Sequence, residues 1–173
     1  SRLPSIPPLS VRKVPFRLPP APAGAQAETT AHLSLACTVG GRSRETDTAE
    51  AKLRVRDARE TRKCTFVSDI DGSVQYYAVV PPRPPLSPAR AKRSKQLRPG
   101  LVLTLHGASV EAIGQAACYA PKRDMWIVAP TNRRPYGFDW EEWGRMDALE
   151  VLSRARAELN TDPTRTYLTG HSM

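Results

Sequence analysis

The sequence predicts an α/β fold, in which a mostly parallel sheet carries helices on its faces. Three observations lead there. Two short apolar runs, "LVLTLHG" from Leu101 and "MWIVAP" from Met125, have the length and composition of buried parallel strands, and "RTYLTG" from Arg165 reads as a third strand. Two segments of helical spacing separate them. The resulting order of strand, helix, strand, helix, strand is a run of right-handed crossovers, which builds co-directional neighbours.

Each element has its own signal. "VEAIGQAACYA" spaces Val110, Ile113, Ala117 and Cys118 along one helical face. In "DWEEWGRMDALEVLSRARAELN", Met146, Leu149, Leu152, Ala155 and Leu159 are expected on the buried face, with Asp139 as N-cap and Glu142 three residues on. Upstream, "CTFVSDIDGSVQYYAVVPP" reads as a β-hairpin turning at Asp71-Gly72, a pair suited to positive φ.

The first 60 residues differ in character. Seven of the 17 prolines fall before Ala23, so that stretch is an extended arm rather than helix or central strand. "AHLSLACTVGG" and "AKLRVRD" alternate with period two and predict strands with one buried face, while "GGRSRETDTAE" between them reads as a loop. His32 is expected at the surface. Residues 1–60 are thus a Pro-rich arm with a small accessory β module, and residues 61–173 a second domain with a Pro-rich basic loop at 81–99.

Composition narrows the function classes. The 173 residues carry a net charge of +9 and a 40% hydrophobic content, enough for a packed core. Six cations lie between Arg83 and Arg98 without an acidic or aromatic residue among them. A nucleic-acid surface calls for aromatics there to stack on bases, so the loop reads as solvated and no nucleic-acid partner is expected. No apolar run nears the roughly 20 residues of a membrane span, and no membrane partner is expected. Cys37, Cys64 and Cys118 lack the spacing of a zinc or redox site and read as buried thiols.

Ligands of parallel sheets bind where the carboxyl ends of the strands emerge. Two such ends carry chemistry: "HGA" at His106 to Ala108, and "GHSM" at Gly170 to Met173. Gly-x-Ser at the end of a strand begins the G-x-S-x-G turn that mounts a nucleophilic serine. A serine hydroxyl attacks only with a base to take its proton and with N–H donors for the oxyanion that forms. Ser172 is the candidate nucleophile, and the N–H groups of Met173 and Ala108 are the candidate oxyanion donors. His106, Gly107, Gly170 and His171 are the supporting residues. "TNRRPYGFDW" follows another carboxyl end and offers Arg133, Arg134 and Tyr136 as candidate substrate contacts. The competing reading pairs those arginines with Asp139, Glu141, Glu142 and Asp147, carboxylates that a helix N-terminus attracts.

With these motifs, residues 62–173 resemble the first half of an α/β-hydrolase catalytic domain, and within that superfamily the esterase and prolyl-oligopeptidase-like serine hydrolases. The resemblance implies a partial α/β-hydrolase fold preceded by a small β module. The hairpin would be the sheet's first two strands, "LVLTLHGA" the third with its oxyanion loop, and "YLTGHSM" the fifth with the nucleophile turn. It implies a hydrolase of esters or peptides working through an acyl-enzyme on Ser172, without metal or cofactor. The family orders its triad Ser, then Asp or Glu, then His. The chain is therefore expected to be a fragment lacking the acid, the base and the C-terminal half of its domain, and inactive by itself. A non-catalytic binding or scaffold protein on the same fold is the alternative.

Overall fold

A computed structural model describes residues 3, 6–11, 13–19, 21, 24, 27–83, 98–133 and 139–172. The chain divides into two compact units, residues 17–57, and residues 58–173 together with 1–16. Before Glu28 the described residues carry neither helix nor strand, as the proline content dictates.

Residues 17–57 contain an antiparallel ribbon of β1 (Glu28–Val39) and β2 (Arg42–Arg54), with a register shift at Leu35/Ala36. The stretch expected as a loop is therefore mostly strand. Only Gly40 and Gly41 turn the chain, both at positive φ (56° and 78°), the conformation that a two-residue hairpin turn of matching twist requires. Nor is one face buried: Leu35 is 44% and Val39 75% exposed. Alternation detects strands with a wet and a dry face, and a ribbon wet on both sides escapes it in its polar half. His32 sits on this exposed ribbon beside Glu50, at 3.1 Å.

The larger unit holds β3 (Arg62–Val67), β4 (Val74–Val80), β5 (Gly100–Leu105), β6 (Met125–Ala129) and β7 (Thr166–Gly170) in one sheet of order β3-β4-β6-β5-β7. β6, β5 and β7 run parallel, while β3 pairs antiparallel with β4 and β4 with β6. Helix α1 (Ala112–Ala117) joins β5 to β6, and α2 (Glu142–Glu158) joins β6 to β7.

Successive strand residues point to opposite faces. Val79, Leu101, Leu103 and Val128 go to one side, where they pack with Ala148, Val151 and Ala155 of α2. Ala78, Val80, Ile127 and Ala129 go to the other and meet Ala112 and Ala116 of α1. With a helix on each face, both sets must be apolar, and the strands read as unbroken apolar runs for that reason.

The helix faces agree with expectation only in part: in α2 Ala155 is buried and Leu152 and Leu159 pack against the core, and in α1 Ile113 packs against the other face. α1 buries Ala112, Gln115 and Ala116 rather than the face of Val110, Ile113, Ala117 and Cys118. Gln115 turns inward because its Nε2 donates to Thr104 Oγ1 (2.8 Å), which is also 2.8 Å from the Tyr119 hydroxyl. α2 buries Gly144, Asp147, Ala148, Val151 and Ala155, leaving Met146 36% and Leu149 57% exposed. Small side chains let the helix lie close to the sheet, and the acid among them is held through one oxygen by Thr131. Glu141, not Asp139, is the N-cap and makes no side-chain cap; Asp139 Oδ1 instead accepts the Glu141 N–H at 3.3 Å. The cysteines are also corrected: Cys37 and Cys118 are exposed, Cys64 is half-buried, and all three are free. Cys37 lies on the wet ribbon, and Cys118 lies off the buried face of α1.

The connection Ser68 to Ser73 is closed by Ser68 N–H to Ser73 O (2.8 Å) and Gly72 N–H to Ser68 O (3.0 Å). Asp71 Oδ1 accepts the Ser73 N–H at 3.0 Å and the Ser73 hydroxyl at 2.6 Å. These bonds to Ser73, with Arg133 beyond them, hold the Asp71 carboxyl down at about 2.

A carboxyl lowered in the folded state stabilises it above the unfolded value near 4 and loses that contribution as pH falls through the folded value. A carbon-detected NMR titration should place the Asp71 midpoint at about 2, and a midpoint near 4 contradicts the turn described. The buried face of α2 predicts that Val151→Ala costs roughly 1–3 kcal/mol. Leu149→Ala should change stability by about 0.5 kcal/mol or less. Denaturant unfolding of both variants checks this, and the reverse ranking would restore the expected face.

Candidate active site

The parallel strands β5, β6 and β7 bring their carboxyl ends to one rim. The β3–β4 turn reaches the same rim, because β4 runs against β6 with Ala78 opposite Ala129. Pairing of β5 with β7 continues to Leu105 opposite Gly170, and the His171 N–H donates to Leu105 O at 3.1 Å.

The segments that leave these two strands touch. A Cβ placed on Gly107 would lie 2.9 Å from the Ser172 Cβ and 3.0 Å from His171 O, closer than real side chains approach. Glycine is the residue that fits. Ser172 has φ 68°, in the left-handed region, a conformation costing a non-glycine residue on the order of 1–3 kcal/mol. Ser172 and Ala108 are both exposed, as is His171. Met173 lies outside the described residues.

His106 is fully buried. Its Nδ1 is 2.9 Å from Gly107 O and its Nε2 3.3 Å from Thr131 O, so the ring spans the loops that follow β5 and β6. Trp140 stands edge-on at 5.0 Å between centroids and donates its indole N–H to His106 O at 2.9 Å. With both ring nitrogens against carbonyls, His106 organises the loop rather than serving as a proton acceptor for an outside group.

Arg133 is drawn into the rim. Its side chain is 9% exposed, and its guanidinium reaches Asp71 (3.2 Å), Glu150 (3.2 Å) and Asp147 (3.7 Å) and donates to Ser68 Oγ at 2.7 Å. Arg133 thus pairs with carboxylates of the chain itself, but of the four expected it meets Asp147, and its other partners are Asp71 and Glu150. Both Asn132 and Arg133 take positive φ (60° and 64°). Asn132 donates through Nδ2 to Asp139 O, and a side chain at Gly144 would collide with its carboxamide. Arg134 and Tyr136 lie outside the described residues.

Asp147 is the residue sequence reasoning misplaced. It is fully buried in the sixth position of α2, where Oδ2 accepts the Thr131 N–H (3.1 Å) and hydroxyl (3.4 Å). Burial pushes its carboxyl above the usual range against the pull of the Arg133 guanidinium. Its signal was present in the i, i+4 stripe of Asp147, Val151 and Ala155, because an acid inside a buried stripe implies dedicated partners.

No family profile and no curated protein matches the sequence. Among solved structures the chain is similar to a thermostable esterase, at 19% identity and TM-score 0.48 over 74% of this chain and 39% of that one. It is similar to esterase Est22 at 14% identity and TM-score 0.42, over 64% and 34%. It is also similar to the Pyrococcus horikoshii acylaminoacyl peptidase at 16% identity and TM-score 0.40, over 69% and 22%. The chain thus spans at most 39% of any of these three structures. These likenesses are loose, and the fold rests on the strand order itself. A hairpin leads the sheet, β5 and β6 exchange places between β4 and β7, and the ends of β5 and β7 meet at Gly107 and Ser172. Residues 62–172 therefore form a partial α/β-hydrolase fold, preceded in the chain by a small β module.

Proposed function

We propose that Ser172 is the nucleophile of a serine hydrolase that cleaves ester or peptide bonds. The observation that carries the reading is the left-handed Ser172 in contact with Gly107, on the rim where the parallel strands end. A bend of this kind lifts a hydroxyl clear of the strand, and its strain is a reason to look for function there.

In this reading Ser172 Oγ attacks the substrate carbonyl and its proton passes to a base. The oxyanion of the tetrahedral intermediate accepts the N–H groups of Ala108 and Met173. Collapse expels the alcohol or amine and leaves an acyl group on Ser172, which water removes. His106 holds the oxyanion loop, and Gly107 allows that loop to approach the serine. No residue of this chain is assigned as the base or its acid partner, which the resemblance puts later in chain order than the nucleophile. Arg133 is given a structural role, since its guanidinium is already bound by carboxylates.

A fluorophosphonate probe applied to the full-length protein should label Ser172 alone, and Ser172→Ala should abolish labelling. A folded protein that stays unlabelled overturns the reading and leaves the binding or scaffold alternative. Gly107→Ala forces the two segments apart, and its labelling rate should fall about 100- to 1000-fold, the range for a lost oxyanion donor. An unchanged rate would separate Gly107 from the reaction.

A further inference from the structure

A carboxylate buried in the middle of a helix is costly unless its surroundings use it. Asp147 accepts the backbone N–H of Thr131 at 3.1 Å, and the N–H groups of Asn132 and Arg133 also face its carboxylate. Its other oxygen faces Arg133 Nε at 3.7 Å, and neither of those two atoms has a hydrogen-bond partner among the described residues. Arg133 in turn holds Asp71 and Glu150. Helix α2 thereby pins the loop after β6 at Thr131, just before the strained pair Asn132 and Arg133.

From Thr131 the contact continues to the serine. The Thr131 carbonyl lies 3.3 Å from His106 Nε2, and His106 Nδ1 lies 2.9 Å from the Gly107 carbonyl. A neutral imidazole carries one N–H, so the ring donates to one of these carbonyls while it stays wedged between both. A peptide unit is planar, so a hold on the carbonyl of Gly107 fixes the direction of the N–H of Ala108. Gly107 is also the residue in contact with Ser172.

We infer that Asp147 is a positioning residue for the Ala108 amide, acting through Thr131 and His106. The consequence for catalysis rests on the proposed roles of Ser172 and Ala108; the mechanical linkage does not.

The test is an NMR comparison of the ¹⁵N-labelled full-length protein with Asp147→Ala and Asp147→Asn, with the fluorophosphonate rate on Ser172 measured beside it. Asp147→Ala should shift the Ala108 amide resonance, with the β4 amides of Ala78 to Val80 unmoved. Asp147→Asn keeps a carbonyl oxygen for the Thr131 N–H and should leave the Ala108 resonance close to its position in the parent. Should Asp147→Ala not fold, Asp147→Leu fills the space without an acceptor and should give the same shift. An Ala108 resonance unmoved in a folded variant lacking the acceptor overturns the inference, as does an asparagine variant that behaves like the alanine one. If Ala108 moves as stated and the parent is not labelled, the linkage stands and the nucleophile reading falls. If the parent is labelled and Ala108 does not move, the reverse holds.

Discussion

The arrangement of the rim depends on one close approach, that of Gly107 to His171 and Ser172. A single added carbon at position 107 would come within 2.9 Å of the serine Cβ and 3.0 Å of a backbone oxygen. That distance follows from the parallel pairing of β5 with β7, which runs to Leu105 and Gly170 and is extended by the His171 amide. Two strands hydrogen-bonded to their last residues deliver the next residues side by side. The positive φ of Ser172 turns the chain out of the ladder at that point. What brings the serine to the loop after β5 is therefore sheet register and the absence of a side chain, both backbone properties.

Around this contact the rim is stiffened by charge rather than by apolar burial. Glu150 accepts the Ser68 hydroxyl at 2.7 Å and the Asp69 N–H at 2.6 Å, while Arg154 donates to Val67 O at 2.7 Å. Together with Arg133 they tie α2, the loop after β6 and the β3–β4 turn into one assembly. Buried ion pairs add little net stability, because desolvation offsets most of the attraction, yet removing one partner is severe. Their effect is geometric. The same helix that covers one face of the sheet through Ala148, Val151 and Ala155 sends Asp147 to the loop that orients His106.

The layers of this fold were legible because burial on both faces writes itself into the sequence. "LVLTLHG" and "MWIVAP" became strands for this reason, "RTYLTG" became one although Tyr167 and Leu168 are exposed, and the hairpin turned where Asp71-Gly72 suggested. Failures came where polar partners or missing burial replaced apolar contact. The polar first part of β2, up to Glu50, was read as a loop because a stretch exposed on both faces has no alternation to detect, whereas the part from Ala51 was read as strand. The faces of α1 and α2 were rotated because Gln115 and Asp147 point inward to partners far off in sequence, Thr104 and Thr131. For the site, the serine and the two glycines were visible as a motif at strand ends. The role of His106 as a bridge was not, since it requires the carbonyl of Thr131, 25 residues away.

The most direct test of the account is a crystal structure of the full-length protein carrying a phosphonate on Ser172. The account predicts that Ser172 keeps its left-handed φ, and that the phosphonyl oxygen lies within about 3 Å of the Ala108 nitrogen, a hydrogen-bond distance. An adduct whose oxygen faces solvent, with the loop after β5 swung away from the serine, would contradict it.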